Sequence, residues 1–122
     1  MKIQKISWSQ WGSGDEDLSG VRFYPFTGED SGIMGETRYS WAEAELYQRP
    51  IQKIHVYNKH GSDSYMRGFE ILYRDGTTQN INSINGEIKG TVDFGPDDIL
   101  VGMTWRQSSF PKQIGIMVMR KR

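Results

Sequence analysis

The chain has 122 residues, with 15 Lys plus Arg against 15 Asp plus Glu, two His and no Cys, a length that holds one ordinary domain. Balanced charge supplies no long-range field toward nucleic acid, an anionic membrane or an acidic partner. The lack of cysteine excludes disulfides, zinc-thiolate sites and cysteine nucleophiles, and no run approaches the roughly 20 apolar residues of a membrane span.

The amino-terminal MKIQKISWSQW lacks the apolar core of a signal peptide, and no compartment is marked. Ile3 to Trp8 reads as a short strand, followed by a loop dense in glycine and carboxylates, GSGDED, from Gly12 to Asp17. Leu18 to Phe26 resumes the strand pattern, with Val21 and Phe23 on one face and Arg22 and Tyr24 on the other. Pro25 has no N–H for a ladder and belongs at an edge or at the strand's end. Gly28 to Gly35 is a turn-rich connection and ETRYSW after it reads as a strand. Ala42 to Tyr47, AEAELY, has helical propensity but is too short to stand as a helix without a cap.

IQKI at Ile3 to Ile6 then recurs letter for letter at Ile51 to Ile54, an offset of 48 (51 − 3) that also carries Gly20 onto Gly68 and Gly28 onto Gly76. The two isoleucines of IQKI stand three apart, so one faces the wrong way unless a bulge intervenes. Phe69, Ile71 and Tyr73 alternate with polar or intervening residues, and Asp75-Gly76 is a turn signal. Asn80 to Ile84 and Glu87 to Phe94 continue the strand pattern across Asn85-Gly86, a dipeptide suited to a tight hairpin. Gly95-Pro96-Asp97-Asp98 marks the next boundary. Ile99, Val101, Met103 and Trp105 alternate, and KQIGIMV at Lys112 to Val118 matches the second unit with Gly115 standing for Gly68.

This pattern predicts one all-β domain over 1–122 of about ten to twelve short strands, in units of about 1–48, 49–96 and 97–122. One such unit alone makes a marginal sheet. Three packed with their apolar faces inward give a β-prism type of architecture, three Greek-key-like sheets with pseudo-threefold symmetry.

IQKIHV, RGFEILYRDG, and DDILVGMTW leading into KQIGIMV resemble the jacalin-related lectins, whose fold is the β-prism. GDEDLSGVRF followed by SWAEAE is similar to the repeats of vitelline-membrane outer-layer proteins, which share that architecture. The resemblance implies glycan (carbohydrate) ligands bound at loop tips, with no enzymatic step and no cofactor. It also implies a GxxxD signature in the loop before the last strand of a unit. The acid of that signature falls on Asp17, Tyr65 and Lys112 and its glycine on Ser13, Gly61 and Ser108, so no unit keeps both halves.

The first candidate loop places Trp11, Gly14, Asp15, Glu16 and Asp17 together. An ionised carboxylate accepts from adjacent sugar hydroxyls, exposed backbone N–H groups complete the recognition, and Trp11 offers a stacking face. The second places Gly61, Asp63 and Tyr65. The third, with Trp105, Arg106, Gln107, Ser108 and Lys112, has donors where the signature has an acceptor. A shallow site holds one sugar weakly, so useful affinity requires several sites or a homo-oligomer. The alternative reading is a structural or protein-interaction domain presenting Tyr39, Trp41 and Tyr47. The sequence has no GxSxG, HExxH, P-loop or dinucleotide fingerprint, and the spacing of Asp15, Glu16 and Asp17 is not that of an EF-hand. His55 and His60 have no second metal-type ligand at a fitting spacing.

Overall fold

A computed structural model of the chain describes residues 3–10, 17–25, 33–35, 41–61, 66–107 and 111–119, the last strands by backbone alone. All ten described elements are strands: β1 Ile3–Gln10, β2 Leu18–Pro25, β3 Ile33–Gly35, β4 Trp41–Glu45, β5 Ile51–Asn58, β6 Met66–Tyr73, β7 Thr78–Asn82, β8 Glu87–Asp93, β9 Ile99–Gln107 and β10 Pro111–Met119. They form antiparallel sheets ordered β3-β2-β1-β4, β7-β6-β5-β8 and β10-β9. In the first two, a three-strand meander is followed by a fourth strand that returns beside the first, the Greek-key order. Among the described residues the third sheet is a bare hairpin. AEAELY contributes β4, because Trp41 to Glu45 pairs along β1 and cross-strand contacts override a weak helical preference.

The three hairpins share one ladder. Lys5 to Ser9 face Tyr24 to Gly20, Lys53 to Tyr57 face Leu72 to Gly68, and Gly102 to Arg106 face Met117 to Gln113. Each ladder is bounded by two bulges. Gln4, Gln52 and Val101 are skipped on the first strands, and Ser19, Arg67 and Lys112 on the second. The first bulge resolves the three-residue spacing of IQKI, since the extra glutamine lets Ile3 and Ile6, and Ile51 and Ile54, all turn inward, where all four are buried.

In the third hairpin the expected alignment is displaced. Leu100, one residue beyond the 48-residue period, holds the place of Ile3 and Ile51, because the connection from Phe94 to Leu100 is one residue longer than the equivalent one from Leu46 to Ile51. Gln113 holds the place of Gly20 and Gly68, while Gly115 lies further along, opposite Thr104. The connection between these strands, 108–110, is also shorter than 11–17 or 59–65.

The inward faces meet in one core. Ile6 opposes Phe23 and Ile54 opposes Ile71, all fully buried. One step along, the first two ladders set an aromatic against an aliphatic residue, Trp8 with Val21 and Val56 with Phe69, and the backbone register of the third pairs Trp105 with Ile114. Trp8 packs against the core. Pro25 ends β2, as its missing N–H requires.

Asp75-Gly76 forms the expected turn, with Gly76 at φ +90° and its N–H donating to the Tyr73 carbonyl at 3.1 Å. Asn85-Gly86 does not form a hairpin. β7 pairs with β6 and β8 with β5, so the dipeptide lies in a connection that crosses the end of the sheet. Gly86 is required there by close approach, since a Cβ would sit 2.0 Å from the Asn58 carbonyl oxygen.

Tyr73, 1% exposed, donates its hydroxyl to Gln79 Oε1 at 2.7 Å. Burial pushes its pKa up from 10.0 to about 12. The fold therefore holds the neutral phenol while the unfolded chain ionises near its ordinary value. This contribution to stability is complete below pH 10 and is lost as pH rises from 10 toward 12. Alkaline unfolding is expected to coincide with the last tyrosine ionisation step followed at 295 nm. A fold intact well above pH 12 would contradict that assignment.

Candidate functional site

The carboxyl ends of β1 and β5 and the amino ends of β2 and β6 lie at one end of the sheets, where the two candidate loops emerge. Trp11, Gly14, Asp15, Glu16, Asp63 and Tyr65 lie outside the described residues, as does Ser108. Asp17 and Gly61 are described, and both are engaged.

Asp17 is 9% exposed and lies immediately before β2. Its Oδ1 accepts from Arg67 Nε at 3.1 Å, with both side chains largely buried. Arg67 is the bulge residue of β6, two positions after the second loop. The bulge aims its side chain across the seam between the first two sheets instead of along its own ladder. Its Nη1 donates to the Asn85 carbonyl at 2.7 Å. Asn82 completes the seam. At φ +62°, a conformation asparagine tolerates better than most residues, it accepts from Gln10 Nε2 at 2.7 Å and donates Nδ2 to the Arg67 carbonyl at 2.6 Å. Ser83 N–H reaches the same carbonyl at 3.2 Å.

A polar strut thus ties the first loop's last residue and the end of β1 to β6, β7 and the 83–86 connection. Arg67, Asn82 and Gln10 were not singled out by the sequence, and Asn85 only as part of a turn. The only available signal was that the bulge residue following the second loop is basic while the residue closing the first loop is acidic.

In the second loop, Gly61 sits at φ +73° and its N–H donates to Glu87 Oε1 at 3.2 Å. The same carboxylate pairs with Lys89 Nζ at 3.0 Å. Lys89 first, then the Gly61 N–H, lower the Glu87 pKa. A ligand hydroxyl seeking the Gly61 amide therefore competes with Glu87.

Of the histidines, His55 lies within 2.8 Å of Thr91 Oγ1, and His60 is exposed on the turn before Gly61. Among the described residues no three His, Asp or Glu side chains converge as metal ligands, and no described helix is long and apolar enough to cross a membrane.

The opposite end carries a cavity of about 210 Å³ between the starts of β1, β5 and β9, lined by Ile3, Leu46, Ile51 and Leu100 with Tyr47 and Arg49 at its rim. Tyr47, 44% exposed, rests against Tyr73 with ring centroids 5.4 Å apart, and Arg49 lies 4.9 Å from its ring centre. Arg49 also pairs with Asp75 at 3.5 Å and donates to Thr77 Oγ1 at 3.1 Å.

No protein-family model matches the chain, and no curated protein matches it in sequence. Solved structures do match in three dimensions. Artocarpin complexed with Me-α-mannose superposes with a TM-score of 0.64 over 97% of this chain and 83% of its own, at 16% identity. A galactose-specific lectin from Artocarpus hirsuta, in complex with methyl-α-D-galactose, gives 0.63 over 97% of this chain and 92% of its own, at 11% identity. Calystegia sepium agglutinin gives 0.63 over 99% and 84%, at 14% identity. The fold is a β-prism, the architecture of these structures. In this β-prism the polar seam stands at the hairpin-loop end and the cavity at the other. At such identities the likeness establishes the architecture and leaves the ligand to be argued from the site.

Proposed function

We propose that the protein is a carbohydrate-binding lectin that recognises glycans reversibly at the hairpin-loop end of the prism, without converting them. The observation that carries this reading is the whole-chain superposition on lectins described in complex with mannose and galactose ligands. The jacalin-related resemblance of IQKIHV and RGFEILYRDG supports a distant relationship to those lectins. The likeness of the first unit to vitelline-membrane outer-layer proteins is read as a consequence of shared architecture.

The primary site in this reading is the first loop, with Trp11, Gly14, Asp15, Glu16 and Asp17. The second loop, with Gly61, Asp63 and Tyr65, is the weaker one, because Glu87 already occupies the Gly61 amide. The units 1–48, 49–96 and 97–122 act as one domain, and a homo-oligomer raises the avidity of shallow sites.

A broad glycan array tests the reading. Binding to mannosides or galactosides is expected, reduced more by Asp17→Ala than by Asp63→Ala. Failure of the unmutated protein to bind any glycan would remove the lectin reading.

A further inference from the structure

We propose that the cavity at the end of the prism away from the hairpin loops is a second binding site, for a small uncharged molecule with an apolar ring and one N–H or O–H donor. The inference stands apart from the lectin reading, which concerns the opposite end.

The cavity reaches from the core to solvent. Its floor is Ile3, Leu46, Ile51 and Leu100, each 9% exposed or less. Its mouth is made by exposed residues of two connections, Tyr47 to Pro50 on one side and Pro96 and Asp97 on the other. Sites for small molecules have this makeup, an apolar wall with a few polar groups at fixed places. The volume is about 210 Å³. Since a dry apolar cavity of about 150 Å³ holds benzene, this one suits a substituted or fused ring.

The side chains at the mouth set the polarity of the ligand. Their donors are committed. Arg49 Nη1 donates to Thr77 Oγ1 at 3.1 Å and pairs with Asp75 at 3.5 Å, and Gln48 Nε2 donates to the Leu46 carbonyl at 2.9 Å. Asp98 is buried, and its Oδ2 accepts from the Gly95 N–H at 2.6 Å. Among the described side chains, what remain at the mouth are acceptors, the Asp97 carboxylate and Gln48 Oε1. An anion would lie against Asp97 and a cation against Arg49, over a floor too apolar to repay the loss of hydration. A neutral ring with one donor meets neither penalty.

Both walls are preformed. Gln79 Oε1 accepts from the Tyr73 hydroxyl at 2.7 Å and the Tyr47 N–H at 3.2 Å, while its Nε2 donates to the Glu45 carbonyl at 2.8 Å. The Arg74 N–H holds the Pro50 carbonyl at 2.9 Å, and the Asp98 N–H closes the other wall on the Gly95 carbonyl at 3.1 Å. A pocket already in shape binds without the cost of ordering its walls.

Indole, a neutral fused ring with one N–H, is the probe. In an amide NMR titration its shifts are expected to gather at Leu46 to Ile51 and Asp97 to Leu100, with Gln10, Asp17, Gly61 and Arg67 unmoved. Leu46→Trp, which fills the cavity, is expected to weaken binding by about tenfold or more. The equivalent place in the second unit already carries an aromatic, since the Leu46 and Phe94 N–H groups donate alike to the Gln4 and Gln52 carbonyls. Tyr47→Ser, at the exposed rim, is expected to weaken binding by about fivefold. Circular dichroism confirms folding, and if Leu46→Trp does not fold, Tyr47→Ser carries the test. No shifts up to the solubility limit of indole, shifts scattered away from the cavity, or either folded variant binding as well as the unmutated protein would overturn the proposal. So would shifts at these residues that follow protein concentration without indole, which would mark an interface between two copies. A failed glycan array would leave it standing.

Discussion

Gly68→Ala is expected to lower the thermal unfolding midpoint by about 10 °C or more, a loss of about 3 kcal/mol from a domain of this size. A Cβ on Gly68 would stand 2.2 Å from the Ile81 carbonyl oxygen, 2.5 Å from that of Ser83 and 2.9 Å from the Ser83 nitrogen. These are backbone atoms of β7 and its continuation, so no rotamer change relieves the clash and the β6–β7 ladder must part. The bulge at Arg67 creates the requirement, because it turns the chain so that the next residue lies directly beneath the neighbouring strand. The same displacement disturbs Asn82, which lies opposite Gly68 in the ladder. Calorimetry or circular dichroism against temperature checks this. A midpoint within about 2 °C of the unmutated protein would mean that β7 does not press on Gly68.

Phe69→Ala is expected to cost about 3 to 5 kcal/mol, by lost transfer energy and the cavity left behind. Phe69 is fully buried between Val56 and Ile81. Equilibrium urea unfolding measures the loss, and a change under about 1 kcal/mol would contradict the packing described. A companion variant makes the effect specific. The equivalent pair in the first sheet is Trp8 with Val21, the same combination of aromatic and valine with the strands exchanged. If the pair fills its layer by total volume, Phe69→Val is rescued in part by Val56→Trp, since cores tolerate exchanges that conserve volume.

Much of this architecture was legible because two-residue alternation and an exact four-letter repeat survive in the first two hairpins. Ile3, Ile6, Val21, Phe23, Phe69 and Ile71 are inward where their spacing put them, and the misfit of IQKI correctly demanded a bulge. The third hairpin was misaligned for a physical reason. A connection one residue longer before β9 than before β5 and a shortened connection at 108–110 shift its two strands in opposite senses relative to the 48-residue period, so a shared glycine at Gly115 was a misleading landmark. Asn85-Gly86 misled because the same residue type serves both positive φ and close approach, and only the neighbouring Asn58 carbonyl distinguishes them.

The site was less legible than the fold. Asp17 and Gly61 were identified from one unit's loop pattern, whereas their partners come from the neighbouring sheet or from the far side of their own: Arg67 for Asp17, and Glu87 for Gly61. Contacts at such separations, between units for Asp17 and across one unit for Gly61, leave no periodic trace. The exposed Tyr47 likewise lies in a connection, and the cavity beside it is formed jointly by connections and the first residues of β1, β5 and β9.

The most direct test of the whole account is an amide and side-chain NMR titration of the unmutated protein with mannotriose and with methyl-α-D-galactoside. Shifts are predicted to concentrate at the hairpin-loop end, at Gln10, Asp17, Gly61 and Arg67, with Leu46 to Ile51 and Asp97 to Leu100 unmoved. Shifts centred on the cavity around Tyr47 and Arg49, or none with either sugar at saturating concentration, would contradict it.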